Sequence, residues 1–136
     1  MVEKEKPVRG QLYVITCFNR LFEYLLNILD NAPKKYRYTF VIRMENLLLD
    51  VNEELILANL AKVEDKKRAD RQNDAYGKLI VLANLLRMAM NGRCLSFHQY
   101  EISSNYLKET KDYLLRWMKS DTSRVTKRLI ELYVLQ

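Results

Sequence analysis

Residues 31–61 read NAPKKYRYTFVIRMENLLLDVNEELILANLA, and this stretch decides the fold. After its one proline it continues without another glycine or proline, which predicts a long helix from about Lys34 to Ala61. Its first third contains four bases and no acid: Lys34, Lys35, Arg37 and Arg43. Cations at a helix N-terminus oppose the helix dipole, so a polyanion or an acidic protein surface is their expected partner. The alternative is that they are solvated side chains at a helix entry.

Three further helices are predicted, and the four together indicate an all-α, up-down-up-down four-helix bundle. Apolar residues recur three and four apart over residues 11–30, about 69–91 and about 97–119. Gly92 is expected to end the third helix, and Ser96 with Gln99 to form a capping box at the start of the fourth.

The 136 residues are expected to form one domain with two appended ends. Residues 1–10 are predicted to be a loose arm, residues 11–120 the bundle, and residues 121–136 a tail. The tail is either a short fifth helix that docks on a partner or neighbouring subunit, or a frayed terminus.

The second and third helices contain more apolar residues than one core-facing stripe can bury. An additional exposed apolar stripe is typical of an interface, which predicts a homo-oligomer. The residues expected at this oligomer interface are Leu49, Ile56, Leu57, Ile80, Val81, Leu85 and Met88.

The composition favours a binding protein over an enzyme. A hydrophobic content of 49% argues against wholesale disorder, and a net charge of +6 permits binding to nucleic acid. One histidine and two separated cysteines make no metal ligand set, and no phosphate loop or nucleophile elbow is present, so we expect no catalytic residue, cofactor or metal. The lack of a signal peptide or long apolar run predicts a soluble cytoplasmic protein without a membrane partner.

The basic residues are expected to gather where helices connect. In an up-down-up-down bundle the first and third connections share one end, which also offers Tyr36 and Tyr38 for stacking. Bases and aromatic rings together suit single-stranded nucleic acid. The basic block of residues 116–128 is expected at the opposite end. The residues predicted to bind nucleic acid or an acidic protein surface are Lys34, Lys35, Arg37, Tyr38, Arg43, Lys78, Arg87, Arg93, Arg116 and Lys119.

The order of several motifs carries a family resemblance over roughly Phe22 to Ser120. The motifs are Pro33, Lys34, Arg37 and Tyr38, then Arg43 and Glu45, the L-L-R-M of residues 85–88, the entry Ser96, Gln99, Tyr100 and Glu101, and Trp117. In these the chain resembles the Avd accessory proteins of diversity-generating retroelements. They belong to the four-helix-bundle family that also includes the rRNA intervening-sequence proteins.

The resemblance implies a basic, barrel-shaped homo-oligomer, a pentamer in that family. It also implies binding to a reverse transcriptase and to template RNA or cDNA, in support of mutagenic reverse transcription that the protein does not itself catalyse. The segment from Lys34 to Arg43 matches the family's basic region. The alternative is a structural oligomer of the intervening-sequence type, without a polymerase partner.

Overall fold

The computed structural model describes residues 12–135, which form four α-helices and no strand. The helices are α1 (Tyr13–Asp30), α2 (Ile42–Leu60), α3 (Lys66–Asn91) and α4 (Phe97–Val134). α1 packs along α4, α2 along α3, and α3 along α4, while α1 and α2 meet over a smaller area. The described residues therefore have the all-helical, bundle-like architecture that the apolar periodicity predicts. The predicted arm, residues 1–10, lies outside them.

The apolar stripes of the four helices meet in a shared core. Its fully buried side chains recur at helical spacing, and they include Leu21, Leu25, Met44, Leu48, Leu55, Leu79, Leu82, Leu86 and Leu114. Burial of one such side chain stabilises the fold by about 1.5–3 kcal/mol. At the edge of the predicted stripes Leu26 is exposed, and Met90 and Met118 are only half-buried.

The prediction that the second helix starts near Lys34 was wrong. Lys34–Tyr36 form a 3-10 turn, Arg37–Val41 form a π-helical turn, and α2 begins only at Ile42. Aromatic and β-branched side chains crowd residues 36–42, and such residues lose rotamer freedom in a regular helix. The helix-dipole argument therefore does not apply to the first three bases, since only Arg43 lies in the first turn of α2.

α3 begins at Lys66, earlier than the predicted start near residue 69. The side chain of Asp65 accepts a hydrogen bond from the backbone N–H of Lys67 at 2.9 Å, which caps the helix there. The two signals predicted for the connection between α3 and α4 are confirmed. Gly92 ends α3, and Ser96 and Gln99 form a reciprocal capping box at the start of α4.

The structure shows neither a separate fifth helix nor a frayed tail over residues 121–134, because α4 continues without interruption to Val134. Residues 97–134 contain no glycine or proline that would end the helix. Asp121 is buried at the predicted boundary, where it accepts hydrogen bonds from Arg68 Nε at 2.7 Å and Gln72 Nε2 at 2.8 Å. These bonds fix this turn of α4 against the start of α3.

Candidate nucleic-acid interface

The α1–α2 connection, residues 31–41, is an ordered pair of turns rather than a loose loop. The backbone N–H of Tyr36 donates to the carbonyl of Pro33 at 3.0 Å, and the Thr39 hydroxyl donates to the carbonyl of Tyr36 at 3.3 Å. π-helical turns such as Arg37–Val41 are rare and occur often at functional sites. The connection therefore holds its side chains in a defined arrangement.

Two aromatic side chains attach this connection to the α3–α4 connection, residues 92–96. The Tyr36 hydroxyl donates a hydrogen bond to the carbonyl of Gly92. A Cβ at Gly92 would lie 3.8 Å from Cε2 of Phe40, so that ring also covers the glycine backbone. The Tyr36 and Phe40 rings are 5.9 Å apart between centroids. The two connections thus form one continuous surface.

Arg93 joins this surface in a backbone conformation that arginine seldom adopts. Its φ of 65° lies in the left-handed region, and it is the only non-glycine residue between 12 and 135 with a positive φ. The next two residues, Cys94 and Leu95, turn into the core, and burial raises the pKa of the Cys94 thiol. Arg93 itself stays exposed beside Gly92.

The bases of the two connections are exposed. Among the described residues none of them forms an ion pair, although Lys35 Nζ lies 4.9 Å from the centroid of the Tyr36 ring. We name the exposed set the connection surface. It consists of Lys34, Lys35, Arg37, Tyr38 and Arg93.

A cleft of about 350 Å³ opens within the α1–α2 connection. Lys34, Arg37 and Tyr38 line it, and Tyr38 is 81% exposed. Asp30 and Glu45 also line the cleft, and carboxylates can accept hydrogen bonds from the amino groups of bases. The cleft thus offers cations for phosphate, a ring for stacking and acceptors for base edges.

Sequence reasoning did not identify the roles of Tyr36, Asp30 and Glu45. It expected Tyr36 to stack on a ligand, but Tyr36 is half-buried and its hydroxyl is bonded to Gly92, so only Tyr38 is free for stacking. The spacing of Tyr36 and Phe40, four residues apart, was the signal that both rings lie on one helical face. The two acids gave no local signal, since they enter the cleft from different helices.

The remaining predicted binding residues lie off the connection surface. Arg43 is exposed on the first turn of α2, and Arg87 is exposed near the end of α3, where its Nη2 donates to Asn84 at 2.7 Å. Lys78 lies 3.6 Å from the buried Glu54 carboxylate, so it has a structural partner. Arg43 and Arg87 are thus exposed on their helices, whereas Lys78 is half-buried beside Glu54.

Arg116 and Lys119 are far from the connection surface along α4. Both are exposed, and the Arg116 guanidinium stacks 5.0 Å from the centroid of Tyr113. Arg116 follows the first residue of α4 by 19 positions, or about 28 Å of helix. These two bases lie near Asp121, which contacts the start of α3.

The predicted interface residues fall into two groups by exposure. Five are exposed on the outer sides of α2 and α3, and they are Leu49, Ile56, Ile80, Val81 and Met88. Leu57 and Leu85 are half-buried. The exposure of the first five side chains agrees with the sequence pattern. The pattern does not identify the surface that covers them.

Within residues 12–135, no cluster of three or more histidine, cysteine, aspartate or glutamate side chains is placed to hold a metal ion. No helix in this part of the chain is both long and apolar enough to cross a membrane. The sequence matches no protein-family model and no curated protein.

Proposed function

We propose that this protein is a non-catalytic accessory factor of a diversity-generating retroelement, and that it binds RNA or an RNA/DNA hybrid through the connection surface. The observation that carries the proposal is four exposed bases without acidic partners beside an exposed tyrosine, on two connections fixed to each other. Phosphates release counterions on binding such bases, and an unpaired nucleotide can stack on Tyr38. The family resemblance supplies the reverse transcriptase as the protein partner.

The proposal includes a homo-oligomer of up-down-up-down four-helix protomers, as a cytoplasmic pentamer. The bond from Tyr36 to Gly92 joins the first and third connections, and this supports that topology. The ring pairs Tyr13–Tyr113 and Tyr24–Tyr106 lie along α1 and α4 in opposite chain order, which supports antiparallel packing. Exposed apolar residues on α2 and α3 support self-association.

A second candidate is a structural oligomer of the intervening-sequence type with no polymerase partner. The exposed apolar residues of α2 and α3 favour self-association under either proposal. Co-purification with a reverse transcriptase of a diversity-generating retroelement separates the two, because only the accessory factor retains the polymerase on a column.

The direct test changes Lys34, Lys35 and Arg37 together to glutamate and measures RNA affinity by fluorescence anisotropy. The RNA is a labelled hairpin with a single-stranded loop. We expect the dissociation constant to rise by at least about tenfold, since three phosphate contacts become repulsive. A matched control changes Lys62, Lys66 and Lys67 to glutamate, three exposed bases at the α2–α3 connection.

The control gives the same change in net charge and favours the start of α3, where acids complement the helix dipole. It should bind RNA much more tightly than the connection-surface variant. Equal loss in the two variants would mean that net charge alone drives binding. No binding by the unaltered protein at low salt would reject a direct RNA contact.

A further inference from the structure

The last part of α4 extends beyond its packing partners. We call residues 122–134 the α4 extension; within it only Val125 is half-buried, and the other residues are exposed. Its apolar side chains are between 57% and 81% exposed: Leu129, Ile130, Leu132, Tyr133 and Val134. A solvated helical segment of this length is marginally stable in water without a packing partner.

The exposed residues of the α4 extension are sorted into two faces. At about 100° per residue, Val125, Leu129 and Leu132 share one side of the helix, and the other apolar residues broaden it. The opposite arc carries the charged residues Arg124, Lys127, Arg128 and Glu131, and two of these bases also pair within the chain, Arg124 with Asp121 and Arg128 with Glu64. The extension is therefore an amphipathic helix with a basic border.

α2 carries a second apolar stripe on the side opposite the core. Its core face contains Met44, Leu48, Val51 and Leu55, whereas the outer stripe contains Ile42, Leu49, Ile56 and Leu60. The first three residues of this outer stripe are seven apart, and all four side chains are between 40% and 75% exposed. Recurrence every seven residues on an outer face is the pattern of helix-to-helix contact.

Acids border the outer stripe of α2. Asp50 and Glu53 are exposed, and neither forms an ion pair with another described residue. Glu45 is half-buried on the other side of the stripe. The α4 extension thus offers apolar residues with a basic border, and α2 offers apolar residues with an acidic border.

These two surfaces do not meet within one chain. α2 packs against α3 and, over a smaller area, α1. The α4 extension projects past the other helices at the α2–α3 connection, where Arg128 pairs with Glu64. The extension can therefore meet an outer stripe of α2 only on another molecule. A second copy of this chain supplies one, at the same concentration as the extension itself.

We propose that the α4 extension of one copy docks on the outer stripe of α2 of a second copy. The contact joins different surfaces of the two copies, so it repeats from copy to copy and closes into a ring when the rotation allows. It rests on the homo-oligomer of the proposed function, and its stripe shares Ile42 with the cleft of the α1–α2 connection. The extension spans about 20 Å and α2 about 28 Å, so the lengths are compatible.

The test is a charge exchange read out as molar mass by light scattering after size-exclusion chromatography. One variant changes Lys127 and Arg128 to glutamate, and another changes Asp50 and Glu53 to lysine. Each alone should lower the mass, because like charges then border both surfaces. Combination of all four changes should restore the mass of the unaltered protein, which loss of folding cannot do.

Two further measurements make the outcome specific. Changing Lys108 and Lys111 to glutamate alters the charge equally at α4 positions outside both surfaces, and should leave the mass unchanged. Amide hydrogen exchange over residues 127–134 should be slow in the assembly and fast in the disrupted variants. A protein that assembles but ignores all four changes would overturn the proposed contact alone. A monomeric protein would overturn both this contact and the proposed oligomer, while RNA binding is judged separately.

Discussion

Arg93 is the residue at which the local backbone and the proposed function conflict. A left-handed backbone conformation costs a non-glycine residue about 1–2 kcal/mol. Arg93 adopts this conformation, although the glycine that could adopt it without strain stands one position earlier. Strain of this kind persists where the surrounding structure enforces it and often accompanies function. Here the buried Cys94 and Leu95 enforce the turn, and the strained residue presents a cation on the connection surface.

Replacing Arg93 by glycine is expected to raise the free energy of unfolding by about 0.5–1 kcal/mol, since glycine adopts a positive φ without steric strain. The same change should weaken RNA binding, because it removes one cation. Urea denaturation and the anisotropy titration measure the two effects. Arg93→Lys is the control, which keeps both charge and strain and should leave both values nearly unchanged. If the Arg93→Gly variant gained no stability and kept full RNA affinity, a functional reason for the strain at Arg93 would be ruled out.

At the scale of the elements, the sequence predicted the helices and helix ends that depend on residues close together along the chain. Apolar residues three and four apart predicted the four helices, and Gly92 and Ser96 predicted the end of α3 and the start of α4. The start of α2 was missed because residues 34–41 contain no glycine or proline that would signal an interruption of the helix. The continuation of α4 depends in part on Asp121 and Arg68, which are 53 positions apart and leave no local pattern.

The buried pair of Asp121 and Arg68 makes a prediction for α4. Their side chains are only 10% and 11% exposed, and Arg68 also stacks 5.0 Å from the centroid of Trp117. Changing Asp121 to alanine leaves a buried guanidinium without its partner, so the free energy of unfolding should fall by about 3–5 kcal/mol. Urea denaturation followed by circular dichroism measures this loss.

Asp112→Ala is the matched control, because Asp112 is exposed on the same helix and forms no ion pair with another described residue. Its effect should stay within about 0.5 kcal/mol. If the two alanine variants were equally stable, the pair would not be what fixes this turn of α4 against α3.

At the scale of the whole molecule, the described bases differ in whether they have an acidic partner within the chain. Four bases without an ion pair to another described residue lie on the connection surface and further ones lie along the helices, whereas the bases Arg68, Arg71 and Lys78 on α3 have acidic partners within the chain. The sequence predicted that the first and third connections share a surface, because it predicted the helix order. It could not separate paired from unpaired bases, since the acids Glu54 and Asp121 lie on other helices.

The most direct test of the central claim is the salt dependence of RNA binding. The logarithm of the binding constant is plotted against the logarithm of salt concentration for the unaltered protein and for the variant with Lys34, Lys35 and Arg37 changed to glutamate. Four phosphate contacts at about 0.7 each predict a slope of roughly −3 for the unaltered protein. The variant should have a slope shallower by about 2, with Arg93 as the remaining contact. Identical slopes for the two proteins would contradict the account, because the phosphates would then bind elsewhere.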